Sequence, residues 1–408
     1  MDTKVTCCVV GAGPAGVVLG LLLARAGVDV AVLEKHGDFL RDFRGDTVHP
    51  STLEVLDEAG LGARFAALEH RRIDGLTLVT DDGERRLVDL GLLPGRHPYI
   101  AMVPQWDLLT MLTEEAAQLP GFTLLMNAEA TGLLRDGGRV TGVRYRDADG
   151  AEHRIRAALT VAADGRHSTL RRAAGLRLRE FGAPMDVAWF RMPRHDGDRD
   201  DTFLRVGTGR MMAMINRTSY WQMAYLVPKG GYERMRAAGA DDLRRHVVDL
   251  VPFLADRVDG LDLDAVSVLN VRVDRLRRWY RPGLLCIGDA AHAMSPVAGV
   301  GINLAVQDAV AAANLLHEPL RRGLVTPRDL AAVQRRRAWP TAVVQRFQIL
   351  FQNLLIGPAL RSEPSRTLRL AQTIPSLPLA PRLAARMVGY GPRPEHVRVP
   401  DHTAAVAR

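Results

Sequence analysis

An apolar run from Val5 to Val10 breaks into Gly11-Ala12-Gly13-Pro14-Ala15-Gly16, a second apolar run follows at once, and Glu34 closes the next strand-like stretch. No other feature of the chain restricts its folding as much. A short continuous strand, a turn of small residues, an apolar helix from about Ala15 to Ala26 and a strand from Val28 to Leu33 after Gly27 form a strand–helix–strand unit. Two strands joined through a helix run parallel, with a right-handed crossover. In such a turn Gly11 permits the sharp bend, Gly13 lets backbone approach a pyrophosphate, and Gly16 lets helix and strand pack closely. The helix start at Pro14 and Ala15 offers unpaired N–H groups to the anion, and Glu34, with Lys35 beside it, is placed to bond ribose hydroxyls. The motif alone fits a flavin or a nicotinamide dinucleotide equally.

Beyond a loop holding Phe43, Arg44 and Gly45, Ser51-Thr52-Leu53-Glu54 predicts a capping box and a helix ending at Gly60. Alternation from Ile73 to Arg86 around Asp81-Asp82-Gly83 predicts a hairpin outside the nucleotide unit. Pro104-Gln105 opens a helix to about Gln118, and Phe122 to Val161 reads as a meander that runs on into Asp164-Gly165. Aromatic and branched residues then cluster at Val187 to Met192 and Met211 to Val227, as in a largely antiparallel sheet. At Leu284 the first pattern returns, with an apolar strand, Gly288-Asp289, a glycine loop and a helix from about Asn303 to Leu316. The prediction is α/β with an α+β second domain. A Rossmann-like unit is assembled from 1–72, 99–175 and 268–340, and a mostly antiparallel substrate sheet from 73–98 and 176–267. Helical segments over 341–408, punctuated by prolines from Pro340 onward, form a C-terminal cap.

A net charge of +8 raises the question of nucleic acid, but only Lys4, Lys35 and Lys229 are lysines among 54 basic residues, and the arginines are scattered near acids. No nucleic-acid partner is expected. Cys7, Cys8 and Cys286 lack the spacing of a metal site or redox dithiol and read as buried and reduced, so no metal is expected. The start of the chain lacks the basic head of a secretory signal, and a cytoplasmic protein is expected. The best apolar stretch, Val17 to Leu23, stops at Arg25, well short of the roughly eighteen residues of a membrane span, so no transmembrane segment is expected.

The block Gly288-Asp289-Ala290-Ala291-His292, with Pro296, Gly299, Val300, Gly301, Ile302 and Asn303 after it, narrows the cofactor. A second strand-to-loop-to-helix turn aims more N–H groups at the same ligand. Asp289 can bond a ribityl chain, and a helix start near Asn303 suits an electron-rich ring. An extended dinucleotide with a reducible ring at its far end, FAD, needs such a second anchor.

With Glu34, the Asp164-Gly165-Arg166-His167-Ser168 block and the Gly288 block, the chain resembles the single-component group A FAD-dependent monooxygenases, the aromatic hydroxylases with the fold of para-hydroxybenzoate hydroxylase. The likeness covers most of the first 340 residues, and three motifs in the family's order make it specific. It implies that Glu34 binds the adenosine ribose, that Asp289 lies near the pyrophosphate and ribityl chain, and that the Asp164 block serves both FAD and the nicotinamide cofactor. Arg44 resembles an arginine lying along the dinucleotide, Gln105 stands where many relatives carry arginine, and Ala298 where many have glycine. The family's chemistry is reduction of FAD by NADPH or NADH, addition of dioxygen, and transfer of a hydroxyl group from a flavin hydroperoxide to an aromatic small molecule.

Such chemistry needs a closed apolar pocket. Trp189, Met212, Met214, Tyr220, Trp221 and Tyr225, with Pro296, are its expected wall, although alternation turns about half of a strand's residues away. His292 is expected to pack or hydrogen-bond rather than catalyse, and no catalytic base is identified. The C-terminal segments Arg346 to Ile356, Leu368 to Ile374 and Leu383 to Val388 are expected as a packed cap, with a homodimer face or a lipid contact as other uses. A flavin halogenase or a flavin-dependent reductase shares the scaffold, though no Trp-x-Trp-x-Ile-Pro segment is present; a non-catalytic flavoprotein binding a hydrophobic ligand is the third reading.

Overall fold

The computed structural model describes residues 2–40, 46–361 and 380–402. The strand Asp2–Val10 lies at the centre of an eight-stranded sheet, parallel to Glu152–Ala162 on one side and to Val30–Leu33 on the other. Val30–Leu33 carries Phe122–Leu125, and Glu152–Ala162 carries Leu284–Cys286, both parallel. The central strands are buried on both faces, as their unbroken Val, Leu and Cys runs require. The helix Pro14–Arg25 packs against Gly301–Arg321 and Gln105–Ala117, so apolar helices drawn from three stretches of chain share one core.

The second sheet has seven strands. The strands Met185–Pro193, Tyr220–Pro228, Arg210–Asn216 and Phe203–Gly207 follow one another antiparallel. The hairpin Gly75–Thr80 and Gly83–Asp89 joins them through a parallel pairing with Phe203–Gly207. The fold is thus α/β joined to a mostly antiparallel sheet, with C-terminal helices against it, as the sequence predicts.

Three local expectations fail. Ser51-Thr52-Leu53-Glu54 is no capping box: the helix starts at Pro50 with His49 as N-cap, because proline suits the first helical position. Phe122–Leu125 is not part of a meander but the parallel neighbour of Val30–Leu33, since its apolar side chains complete that sheet's edge. Pro340 sits buried within the helix Pro327–Phe351, where packing outweighs the missing hydrogen bond. The stretch best suited by length and apolarity to cross a membrane is Val297–Arg321 rather than Val17 to Leu23, and 78% of its apolar window is buried inside the protein as core. Leu383 to Val388 lies in the helix Ala380–Gly389, whereas Leu368 to Ile374 falls outside the described residues.

Candidate cofactor and substrate site

Both glycine turns behave as their sequence requires. Gly11 holds φ +101°, and a Cβ there would overlap the Ala163 backbone. A Cβ on Gly16 would collide with the Gly11 carbonyl. Gly13 differs, because a Cβ there meets no protein atom within 4 Å. It borders open space beside a helix start that has no side-chain cap, as a phosphate cradle needs. Glu34, 8% exposed, accepts the Ala12 N–H at 3.0 Å and the His36 N–H at 3.2 Å, so its carboxylate lies against this turn; Lys35 is exposed.

The second block meets the first. A Cβ on Gly288, at φ +58°, would stand 3.1 Å from Ala15 Cβ and 3.5 Å from Ala305 Cβ. The two distant glycine blocks and the helix Gly301–Arg321 therefore converge on one place, and this helix also starts without a side-chain cap. The Asp164 block adjoins them through side chains: Arg166 Nε donates to Asp289 Oδ2 at 2.9 Å, and buried Arg171 donates to the Ala290 carbonyl at 3.0 Å. Asp164 accepts the Leu170 N–H at 3.2 Å, and burial raises its pKa. Its other oxygen has no partner among the described residues. Gly165, at φ +78°, also faces open space.

The loop after Pro296 is held from outside. The Gly299 carbonyl accepts from Thr47 Oγ1 at 2.7 Å and faces His49 Nε2 at 3.2 Å, while His49 Nδ1 faces the Val388 carbonyl at 2.8 Å. Asn303 Oδ1 accepts from Ser51 at 2.6 Å and Thr52 at 2.8 Å, so the Ser51 hydroxyl expected to cap its own helix secures the loop before Asn303 instead, with Thr52 beside it. His292, 1% exposed, lies 2.6 Å from Asp308 Oδ2, which also accepts the Gly288 N–H at 3.1 Å. Arg337 Nε donates to the other Asp308 oxygen at 3.0 Å and Arg337 Nη1 to Glu395 at 3.2 Å. Burial opposes the Asp308 charge, but His292 and Arg337 hold its carboxyl below the usual range. Sequence reasoning missed the Asp308–Arg337–Glu395 chain because its members lie on separate elements.

The expected pocket wall divides. Met212, Met214, Trp221 and Tyr225 belong to the core between the sheet and the helix Ala240–Leu250, among Leu243 and Val247. Alternation along the strands puts them on the face opposite the one that packs against Val297. Trp189 packs with the opposite cluster, which includes Val297 of the loop, and Tyr220 shares the parity of Ala224 and Leu226 on that face. Arg191, Ala213 and Ile215 share it too and escaped the sequence reading, because periodicity separates two faces without saying which one meets the cofactor. Trp189 Nε1 is buried with no partner among the described residues. At that sheet's end, Arg217 forms an ion pair with buried Asp46, which precedes the short strand Thr47–Val48, and burial lowers the arginine's pKa. Gln105 is the first residue of its helix and makes no capping bond, while Arg44 lies outside the described residues.

Two uncapped helix starts in contact, an open glycine cradle and a carboxylate against it fit an FAD spanning both blocks. The FAD binding domain family matches residues 3–347. The chain is 35% identical over 96% of its length to 6-methylpretetramide 4-monooxygenase of Streptomyces rimosus, covering 93% of that protein. Among solved structures it resembles OxyS anhydrotetracycline hydroxylase from Streptomyces rimosus, with TM-score 0.76, 25% identity, 95% of this chain and 76% of that one. The p-nitrophenol 4-monooxygenase of Pseudomonas putida DLL-E4 shares the fold, with TM-score 0.78, 20% identity, 95% of this chain and 97% of that one. Converging glycine blocks and whole-length likeness lead to one conclusion: the chain belongs to the group A FAD-dependent aromatic monooxygenases, enzymes that use NAD(P)H and dioxygen.

Proposed function

We propose that this monooxygenase hydroxylates a polycyclic phenol related to 6-methylpretetramide, in the cytoplasm, where nicotinamide reductant is available. The observation that carries the reading is the sheet face turned toward Val297. There Trp189, Ala213, Ile215 and Tyr220 are only half-buried and Arg191 is exposed, while the opposite face is sealed by a helix. Flat apolar surface beside the unpartnered Trp189 N–H suits fused rings bearing oxygen acceptors. The 35% identity over 96% of the chain supports the same substrate class.

Bound FAD supplies the redox chemistry that activates dioxygen for insertion of one oxygen atom into the ring. The protein's part is binding, orientation and exclusion of water. In this reading Gly11, Gly13, Pro14, Ala15 and Gly16 cradle phosphate, and Glu34 bonds ribose. Gly288, Asp289 and the backbone from Gly299 through Val300, Gly301 and Ile302 receive the ring end. Arg166 orients Asp289, and Asn303, its Oδ1 held by Ser51 and Thr52, fixes the start of the helix on the cofactor side.

Oxygen uptake by FAD-loaded protein with NADPH, measured across one-, two- and four-ring phenols, tests the proposal. Four-ring phenols are expected to stimulate uptake at least about tenfold and to yield a product heavier by one oxygen atom. Turnover of one-ring phenols alone, or NADPH oxidation that gives only hydrogen peroxide with every polycyclic phenol, would overturn it.

A further inference from the structure

The short pair Leu178–Glu180 and Asp274–Leu276, together with the helix Pro327–Phe351, borders a cleft of about 430 Å³. Arg179, Arg275 and Arg277 line it with Gln334, Ala338 and Trp339. None of the three guanidinium groups has a carboxylate at ion-pair distance among the described residues. Two of them, Arg179 and Arg275, instead lie over Phe181, at 5.1 Å and 5.3 Å from its ring centre. Burial, with repulsion from Arg179 and Arg346, lowers the pKa of Arg275, as the lack of a carboxylate partner among the described residues requires. Trp339 is 58% exposed at the rim, a flat apolar surface of the kind that stacks on a base.

The cleft is wired to the cofactor loop. Gln345 accepts from Arg275 Nη1 at 3.0 Å and donates to the carbonyls of Asp274, at 2.7 Å, and Ala293, at 3.0 Å. Asp274 in turn accepts the Ala293 N–H at 3.2 Å, next to His292 of the Gly288 block. Converging arginines recognise phosphate through charge-assisted, forked hydrogen bonds. An indole beside them selects a phosphate attached to an aromatic base. The volume suits a nucleoside bisphosphate rather than a whole dinucleotide.

We propose that this cleft docks the 2′-phosphoadenosine end of NADPH and thereby selects NADPH over NADH; the inference rests on the chain's NAD(P)H-dependent activity. The test is titration of the FAD-loaded protein with 2′,5′-ADP, 5′-AMP and inorganic phosphate by calorimetry, together with steady-state FAD reduction by NADPH and NADH. The variants are Arg179→Gln with Arg277→Gln, and separately Trp339→Leu. Wild type is expected to bind 2′,5′-ADP at least about tenfold tighter than 5′-AMP or phosphate. The double variant is expected to lose about tenfold or more of that affinity and to raise KM for NADPH similarly, leaving KM for NADH within about twofold. Trp339→Leu is expected to weaken 2′,5′-ADP without changing inorganic phosphate. Equal binding of 2′,5′-ADP and 5′-AMP, or a normally folded double variant with unchanged 2′,5′-ADP affinity, overturns the proposal. Nucleotide binding is read without any aromatic substrate, so failure of the hydroxylation reading leaves this result separately decided.

Discussion

Ala298 holds φ +63° in the turn between Pro296 and the helix Gly301–Arg321, a conformation in which Cβ crowds the following carbonyl. Its neighbour Gly299 adopts φ +64° without that cost. Ala298→Gly should therefore stabilise the protein by about 1 kcal/mol, read as a higher urea midpoint at constant slope; a lower midpoint would mean that the methyl group's packing outweighs the backbone strain. Other single residues carry their roles through neighbours. Asp289, legible as a cofactor residue, is held by Arg166, and only the fold brings that arginine to it.

The helix Gly301–Arg321 is the element on which the site turns. It starts at the cofactor loop, and two turns further on Asp308 receives His292, Arg337 and the Gly288 N–H at once. Asp308→Asn leaves Arg337 and its surroundings buried with the countercharge gone. Removing one partner of such a pair costs about 3–5 kcal/mol, part of it offset here because Glu395 still faces Arg337. Chemical denaturation should register a loss of about 3 kcal/mol, together with weaker FAD retention as the Gly288 turn loosens. Unchanged stability would show that the network is incidental. The element's existence was legible from its apolar periodicity, but its partners were not, because hydrogen bonds from Ser51 and Thr52 to Asn303 cross about 250 residues of chain.

Across the whole molecule, His49 ties three separated segments: its own helix start, the cofactor loop through Gly299 and the C-terminal helix through Val388. Both ring nitrogens face carbonyls, yet burial depresses its pKa to about 4. A histidine unfolded in water titrates near 6.5. The neutral form is thus favoured on folding, and its stabilising contribution is complete above about pH 6.5 and is lost as pH falls toward 4, on the order of 3 kcal/mol in all. His49→Asn should flatten the stability profile across that window, measured by thermal unfolding at stepped pH. An unaltered slope would assign the acid sensitivity to other groups. The expected pocket residues on the second sheet divide at the same scale, since which face packs against Val297 depends on where the first sheet docks, and that is written in no local pattern.

Glycine positions, strand runs and the acid at Glu34 determined by themselves that this chain builds a phosphate-cradling parallel sheet, because those features act through backbone sterics and neighbours a few residues away. Two opposed sheet faces were likewise implied by alternation. Tertiary structure alone decided that Trp189 rather than Met212 or Tyr225 looks toward the loop, that Ser51 and Thr52 hold Asn303, and that unpaired arginines gather beside Trp339. Each depends on which distant surfaces bury one another, and burial free energy is set by the assembled core rather than by any stretch of residues within it.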